Sequence, residues 1–126
     1  MAKQPETLFI ESRVKPVLDT IPCYYFRKEA ASIRGLPDII GVTKGGRFFA
    51  FEVKKAKSEL GCRRTALQDY ILKKIRKMGG FAEFIYPENF EQTIKTFVFS
   101  SFPDDEAQSV WNWLVEYSPH IGLRKD

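Results

Sequence analysis

Between residues 38 and 54 the chain carries two runs of strand character joined by Lys44-Gly45-Gly46, and the second run is apolar from Phe48 to Val53 at every position except Glu52. Two such runs around a glycine-rich turn predict a β-hairpin. A strand this apolar belongs inside a sheet covered on both faces. There a carboxylate, followed two residues later by the ammonium of Lys54, is costly unless both find partners or a chemical task. The two-residue period of a strand sends Glu52 and Lys54 out on one face. The competing explanation is that the pair marks only the fraying end of the strand.

Asp38 opens the partner strand, and parity decides whether it joins them. A two-residue Gly45-Gly46 turn would set Asp38 opposite Val53, on the wrong face. A three-residue Lys44-Gly45-Gly46 loop with Gly46 in the left-handed conformation sets Asp38 opposite Glu52. The second register is the one predicted here. It gathers Asp38, Glu52 and Lys54 at one end of a face whose remainder, Ile40, Val42, Phe48 and Ala50, is expected to be core. Ile39, Phe49, Phe51 and Val53 form the other apolar face.

Around this hairpin the pattern predicts the order α-β-β-β-α-β-α-α. Pro5-Glu6 opens a first helix carrying Phe9, Ile10, Val14, Val17 and Leu18, and Pro16 is expected to kink it or end it early. Residues 23–27 are short and aromatic, as in a strand. A polar loop through Ala30 to Arg34 leads to Gly35-Leu36-Pro37-Asp38. Residues 65–78 form an amphipathic helix with Leu67, Ile71, Ile75 and Met78 inward and Lys73, Lys74, Arg76 and Lys77 outward, ended by Gly79-Gly80. Residues 81–86 are a fourth strand, Pro87 begins another helix, and Asp104-Asp105-Glu106 place acids at the start of a last helix. The class is α/β: a mixed four-stranded sheet flanked by helices, in a single domain of residues 1–126. Its core spans about 6–87, with a helical C-terminal part over about 88–126.

Charge is distributed unevenly. Residues 54–77 hold nine Lys or Arg against two Asp or Glu, whereas residues 78–126 hold three against eight. The basic segment suits a polyanion such as nucleic acid, since each neutralised phosphate releases counterions. A solvated lysine-rich helix face is the alternative. Cys23 and Cys62 are isolated thiols without a C-x-x-C pair, so zinc is not expected, and both are expected to be free in a reducing compartment. His120, the only histidine, lies in the C-terminal tail and is expected at the surface, which removes the usual base of triad chemistry. No leader or membrane span is apparent, and a cytoplasmic protein is expected.

Two carboxylates across a strand pair raise each other's pKa, and a divalent cation relieves the conflict. All-oxygen ligation suits Mg²⁺, with Mn²⁺ as a substitute, and Mg²⁺ takes only one or two carboxylates together with water and substrate phosphate. Asp38, Glu52 and Lys54 are therefore candidates for metal-assisted phosphodiester hydrolysis, with Lys54 orienting water or neutralising charge on the phosphate.

Gly35-Leu36-Pro37-Asp38, followed by Glu52-Val53-Lys54 and by Gln68 on a helix, resembles the signature of the PD-(D/E)xK nucleases, and within them the VRR-NUC family. The resemblance covers roughly residues 6–87. It implies a restriction-endonuclease-like core (αβββαβ) and an Mg²⁺-dependent endonuclease acting on DNA. It also implies a helix carboxylate near the metal, Glu11 by its spacing with Val14 and Leu18, or Glu6. The backbone carbonyl of Val53 becomes a further metal ligand, and Gln68 a residue that positions phosphate or water; otherwise Gln68 is simply a polar residue at a helix start. Lys55, Lys57, Arg63 and Arg64, with Arg34 as a weaker addition, become contacts to the phosphate backbone. Small stand-alone members are similar to homodimeric enzymes of phage or bacteria that cut branched DNA, so a four-way junction is the expected substrate. Trp111, Trp113, Phe97 and Phe102 are expected to serve as core or, alternatively, as dimer surface. A nonspecific or restriction-like DNase, and a catalytically silent nucleic-acid-binding module, are the competing functions.

Overall fold

The computed structural model describes residues 4–28, 34–117 and 121–123, apart from the side chains of Arg64 and Tyr117. Most of the loop at Ala30 to Arg34, and His120, therefore lie outside the described residues. Four strands, β1 (Cys23–Arg27), β2 (Ile39–Thr43), β3 (Phe48–Val53) and β4 (Phe81–Ile85), form one sheet in that spatial order. β1, β2 and β3 are successively antiparallel, and β4 lies parallel to β3. The parallel step is made by the helix α3 (Ala66–Lys77), as a parallel connection requires. The chain is thus an α/β protein with a mixed four-stranded sheet and flanking helices, as its sequence pattern predicts.

The hairpin has the register deduced from parity. Ile39 pairs with Phe51, Ile40 with Ala50, Gly41 with Phe49 and Val42 with Phe48. Thr43 N donates to the Arg47 carbonyl at 2.9 Å, closing a three-residue loop in which Gly46 has φ +90°, the left-handed geometry that glycine adopts without strain. A further glycine is required by space alone. A Cβ at Gly41 would fall inside contact distance of the Tyr24 carbonyl oxygen and the Phe49 ring. Gly41→Ala is therefore expected to destabilise the protein by about 1–3 kcal/mol, read as a lower urea midpoint with an unchanged slope.

One face of the sheet is fully packed. Ile39, Phe49, Phe51 and Val53 are buried there against Val14, Val17 and Leu18 of the N-terminal helices and against α4 (Phe90–Ser101) and α5 (Asp104–Tyr117). Phe97 stands at its centre, with its ring 4.8–5.5 Å from those of Phe49, Phe51 and Phe81. Trp111 and Phe102 are also core, and Trp113 alone among the four C-terminal aromatics is exposed. Pro87 opens a 3₁₀ turn (Pro87–Asn89) that leads into α4.

The other face departs from expectation. Ala50 and Ala82 are buried under Leu72 of α3, but Ile40 is only half-buried and Val42 and Phe48 are exposed, as are Tyr24 (72%) and Phe26 (51%) on β1. One helix of about 10 Å width spans about two strands, so α3 covers β3 and β4 and leaves β1 and β2 bare. For the same reason the inward stripe of α3 is Leu72 and Ile75, whereas Leu67 and Met78 look outward.

The N-terminal helix also differs. It runs as α1 (Pro5–Phe9), a π-helical turn (Ile10–Val14) and α2 (Lys15–Thr20), so Pro16 does not terminate it. The widened turn just before Pro16 makes room for a ring that would otherwise meet the preceding carbonyls. It also changes the angular phase between residues before and after it. Both cysteines are free thiols, and no described helix is long and apolar enough to cross a membrane.

Candidate active site

At one end of the sheet, beside the α3-covered face, a cleft of about 350 Å³ is lined by Glu6, Arg27, Lys28, Asp38, Glu52, Val53, Lys54, Glu59 and Gln68 among others. Asp38 and Glu52 thus face the same space. Continuing the hairpin register by one step from Ile39 and Phe51 sets them opposite one another, which is the convergence that the three-residue loop predicts. The turn before Asp38 is pressed onto α3, since a Cβ on Gly35 would come within 2.7–2.9 Å of Ile71 and Leu67. Asp38 is then held from the other side, where its Oδ2 accepts the backbone N–H of Val53 at 2.8 Å.

Glu52 is 3% exposed. Its Oε1 accepts from Gln68 Nε2 at 2.9 Å, and Gln68 Oε1 accepts from Lys54 Nζ at 2.7 Å. The amide therefore bridges acid and amine, and this is the only orientation of its two ends that satisfies both. Gln68 is more than a polar residue at a helix start. Glu52 Oε2, by contrast, is buried without a hydrogen-bond partner. Such an atom is rare in a folded protein and calls for a missing cation or donor.

Burial, then the charge of Asp38, push the Glu52 carboxyl up to about 8, while Lys28 and Lys54 oppose the shift. The buried Glu52 carboxyl therefore holds its proton more tightly than an exposed one does. A carboxyl whose folded pKa is raised contributes stability that is complete below its ordinary 4.5 and is lost as pH rises through about 8. In chelator-treated wild type the melting temperature is accordingly expected to decline over that window. Glu52→Gln, which has no proton to lose, is expected to remove that decline, as thermal melts at several pH values would show.

The remaining predicted residues fall into three groups. Glu11 is exposed on the π turn and is not among the residues lining the cleft; Glu6 lines it instead. The π turn breaks the regular spacing from which Glu11, Val14 and Leu18 were placed on one face, and so it hands the helix carboxylate position to Glu6. Val53 lines the cleft. Arg63, though exposed, lines an adjoining depression with Lys54, Glu59, Cys62 and Thr65. Lys55, Lys57 and Arg34 are exposed near the cleft mouth or the turn that leads to it, and the Arg64 side chain lies outside the described residues.

Sequence reasoning missed Lys28, Arg27 and Glu59. Lys28 Nζ donates to the Leu36 carbonyl at 2.9 Å and lies 3.9 Å from Asp38 Oδ1. Only the register of β1 on β2 reveals it, because ten residues separate Lys28 from Asp38 in sequence. Glu59 Oε1 accepts the backbone N–H of Lys55 at 2.7 Å, tying the loop after β3 to the cleft.

Among the described residues no group of three or more His, Cys, Asp or Glu is placed to hold a metal. A pair of carboxylates with one unpartnered buried oxygen nevertheless fits a hard cation of the Mg²⁺ class, which needs few protein ligands. No family model, curated protein or solved structure matches this chain.

Proposed function

We propose that this protein is a metal-dependent endonuclease that hydrolyses phosphodiester bonds in DNA, with Mg²⁺ as its cofactor and Mn²⁺ as a substitute. The observation that carries the reading is the buried, unpartnered Glu52 Oε2 beside Asp38, in a cleft that also holds Lys54 and Gln68. Asp38 and Glu52 would hold the ion, with the Val53 carbonyl as the further ligand that the resemblance implies, while Glu6 rather than Glu11 lines the same cleft. When bound, it supplies Lewis-acid stabilisation of charge on the scissile phosphate and makes water more acidic. Lys54, fixed by Gln68, orients the attacking water or meets the negative charge that grows on the phosphate. The Asp38–Val53 hydrogen bond keeps one acid in place before substrate arrives, so little reorganisation accompanies the reaction.

The spacing of Gly35-Leu36-Pro37-Asp38, Glu52-Val53-Lys54 and Gln68 supports membership of the VRR-NUC type, and with it a restriction-endonuclease-like core and a branched DNA substrate. Homodimerisation is part of the same reading. The bare half of the sheet, with Tyr24, Phe26 and Val42 exposed on β1 and β2 and Phe48 exposed on β3 at its border with α3, supplies the apolar surface that a second copy would cover. This replaces the C-terminal aromatics, of which Trp111, Phe97 and Phe102 are committed to the core.

The deciding assay incubates the protein with labelled four-way junction, fork, flap and linear duplex, with Mg²⁺ or with chelator, beside Lys54→Ala. Mg²⁺-dependent cleavage that favours the junction is the expected result. Equal cutting of linear duplex would make the enzyme a general DNase, and binding without any cleavage would make it a silent module. Arg63→Ala combined with Arg64→Ala is expected to weaken binding and to reduce the salt dependence of log K by about two phosphate contacts. An unchanged slope in a salt titration would take both arginines off the DNA.

A further inference from the structure

We propose that Lys28 is the internal counter-ion of the Asp38–Glu52 pair: in the metal-free protein its ammonium occupies the electrostatic place that a divalent cation takes when the site is loaded. The inference rests on reading the cleft as a metal site and assigns that site an element of regulation.

Its basis is positional. Arg27 pairs with Ile39, so one further step along both strands sets Lys28 beside Asp38, and the backbone N–H of Lys28 donates to the Asp38 carbonyl at 2.9 Å. The side chain turns into the same cleft, where its Nζ donates to the carbonyl of Leu36 at 2.9 Å. That acceptor is neutral. It anchors the ammonium near the acids without spending its charge. The 3.9 Å separation from Asp38 Oδ1 is too long for a hydrogen bond, so the attraction there is electrostatic and easily exchanged. Lys54, a second cation of the cleft, is already committed through Gln68.

Coulomb energy falls only as the inverse of distance, so an ammonium this close raises the potential between the two carboxyls. A metal ion must enter against that potential. Lys28 therefore holds the two acids together while the site is empty and lowers its affinity for free divalent ions. Once a cation satisfies the acids, the ammonium is left with a neutral carbonyl and an open cleft, and a phosphate oxygen of the substrate is its natural next partner. Metal and phosphate are thereby expected to favour one another's binding.

Titration of the full-length protein with Mn²⁺ in the absence of nucleic acid, followed by the electron paramagnetic resonance signal of free Mn²⁺, tests this directly. Lys28→Met is expected to bind Mn²⁺ about five- to tenfold more tightly than wild type. Lys28→Arg, which keeps the charge, is expected to stay within about twofold of it. Equal or weaker binding by a folded Lys28→Met protein would overturn the inference, because neither a brace nor a bystander tightens binding when removed. Should that variant fail to fold, Lys28→Gln provides the same comparison with a shorter neutral side chain. A different failure is recognised separately: if wild type and Glu52→Gln bind Mn²⁺ equally, the metal-site reading itself is wrong, and this inference falls with it.

Discussion

Replacement of Asp38 or Glu52 by alanine is expected to reduce DNA cleavage by about a thousandfold or more while DNA affinity remains within about twofold of wild type. The rate loss follows from the part that the two acids play. They would hold the cation that stabilises charge on the phosphate, and a thousandfold corresponds to about 4 kcal/mol of transition-state stabilisation. Affinity would be spared because in the proposed reading the basic residues around the cleft carry it, and removing a carboxylate lowers the repulsion felt by a phosphate. Glu52 is the sharper test of the two. Its Oε2 has no partner to lose, so Glu52→Gln keeps the shape and the Gln68 contact at Oε1 while removing the charge. Single-turnover cleavage and a filter-binding titration of the same preparations separate the two effects. Cleavage that survives in either variant would move the chemistry elsewhere.

A second large effect is expected in stability. Phe97→Ala should cost about 3–5 kcal/mol, a substantial part of the 5–15 kcal/mol that holds a domain of this size together. The side chain is fully buried, and its ring meets those of Phe49, Phe51 and Phe81 from α4, so its removal opens a cavity that three neighbouring aromatics cannot all collapse into. Trp113→Ala, on α5 and exposed, is expected to change stability by less than about 1 kcal/mol. Urea unfolding of the two variants side by side measures the contrast. A similar loss in both would mean that the aromatic cluster is not the centre of the fold.

The parts of this structure that were readable from sequence are those governed by local rules. The register of β2 on β3 follows from one loop length, because a three-residue connection with glycine at its last position leaves only one parity, and that parity brings Asp38 to Glu52. The contact between Gln68 and Glu52 was readable because a helical stripe centred on residues 68, 72 and 75 faces the strand that carries Glu52. What escaped depends on longer or irregular geometry. Lys28 reaches Asp38 through a strand pairing whose connection, residues 28–38, is eleven residues long and carries no register signal. The π turn at Ile10–Val14 is invisible to a 3.6-residue period, and it moved the helix carboxylate of the cleft from Glu11 to Glu6. The bare half of the sheet is not legible either, because an apolar strand residue reads as buried whichever face it occupies. Whether a helix covers four strands or two is decided by where the crossover lands, and no residue of β1 or β2 encodes it.

This also explains why Val42 and Phe48 are apolar and yet exposed. They share a face with Asp38 and Glu52, and in the proposed dimer a second copy would shield them. The acids at the cleft end would remain open to substrate, since Lys28, Asp38 and Lys54 are only partly buried in the single chain.

The most direct measurement of the central claim is an anomalous-difference map from crystals grown with Mn²⁺ and a short DNA duplex, collected near the manganese absorption edge. The expected result is a peak between the carboxyl groups of Asp38 and Glu52, absent in Glu52→Gln crystals grown in the same way. A cleft without a peak, or a peak that persists when residue 52 is neutralised, would contradict the account.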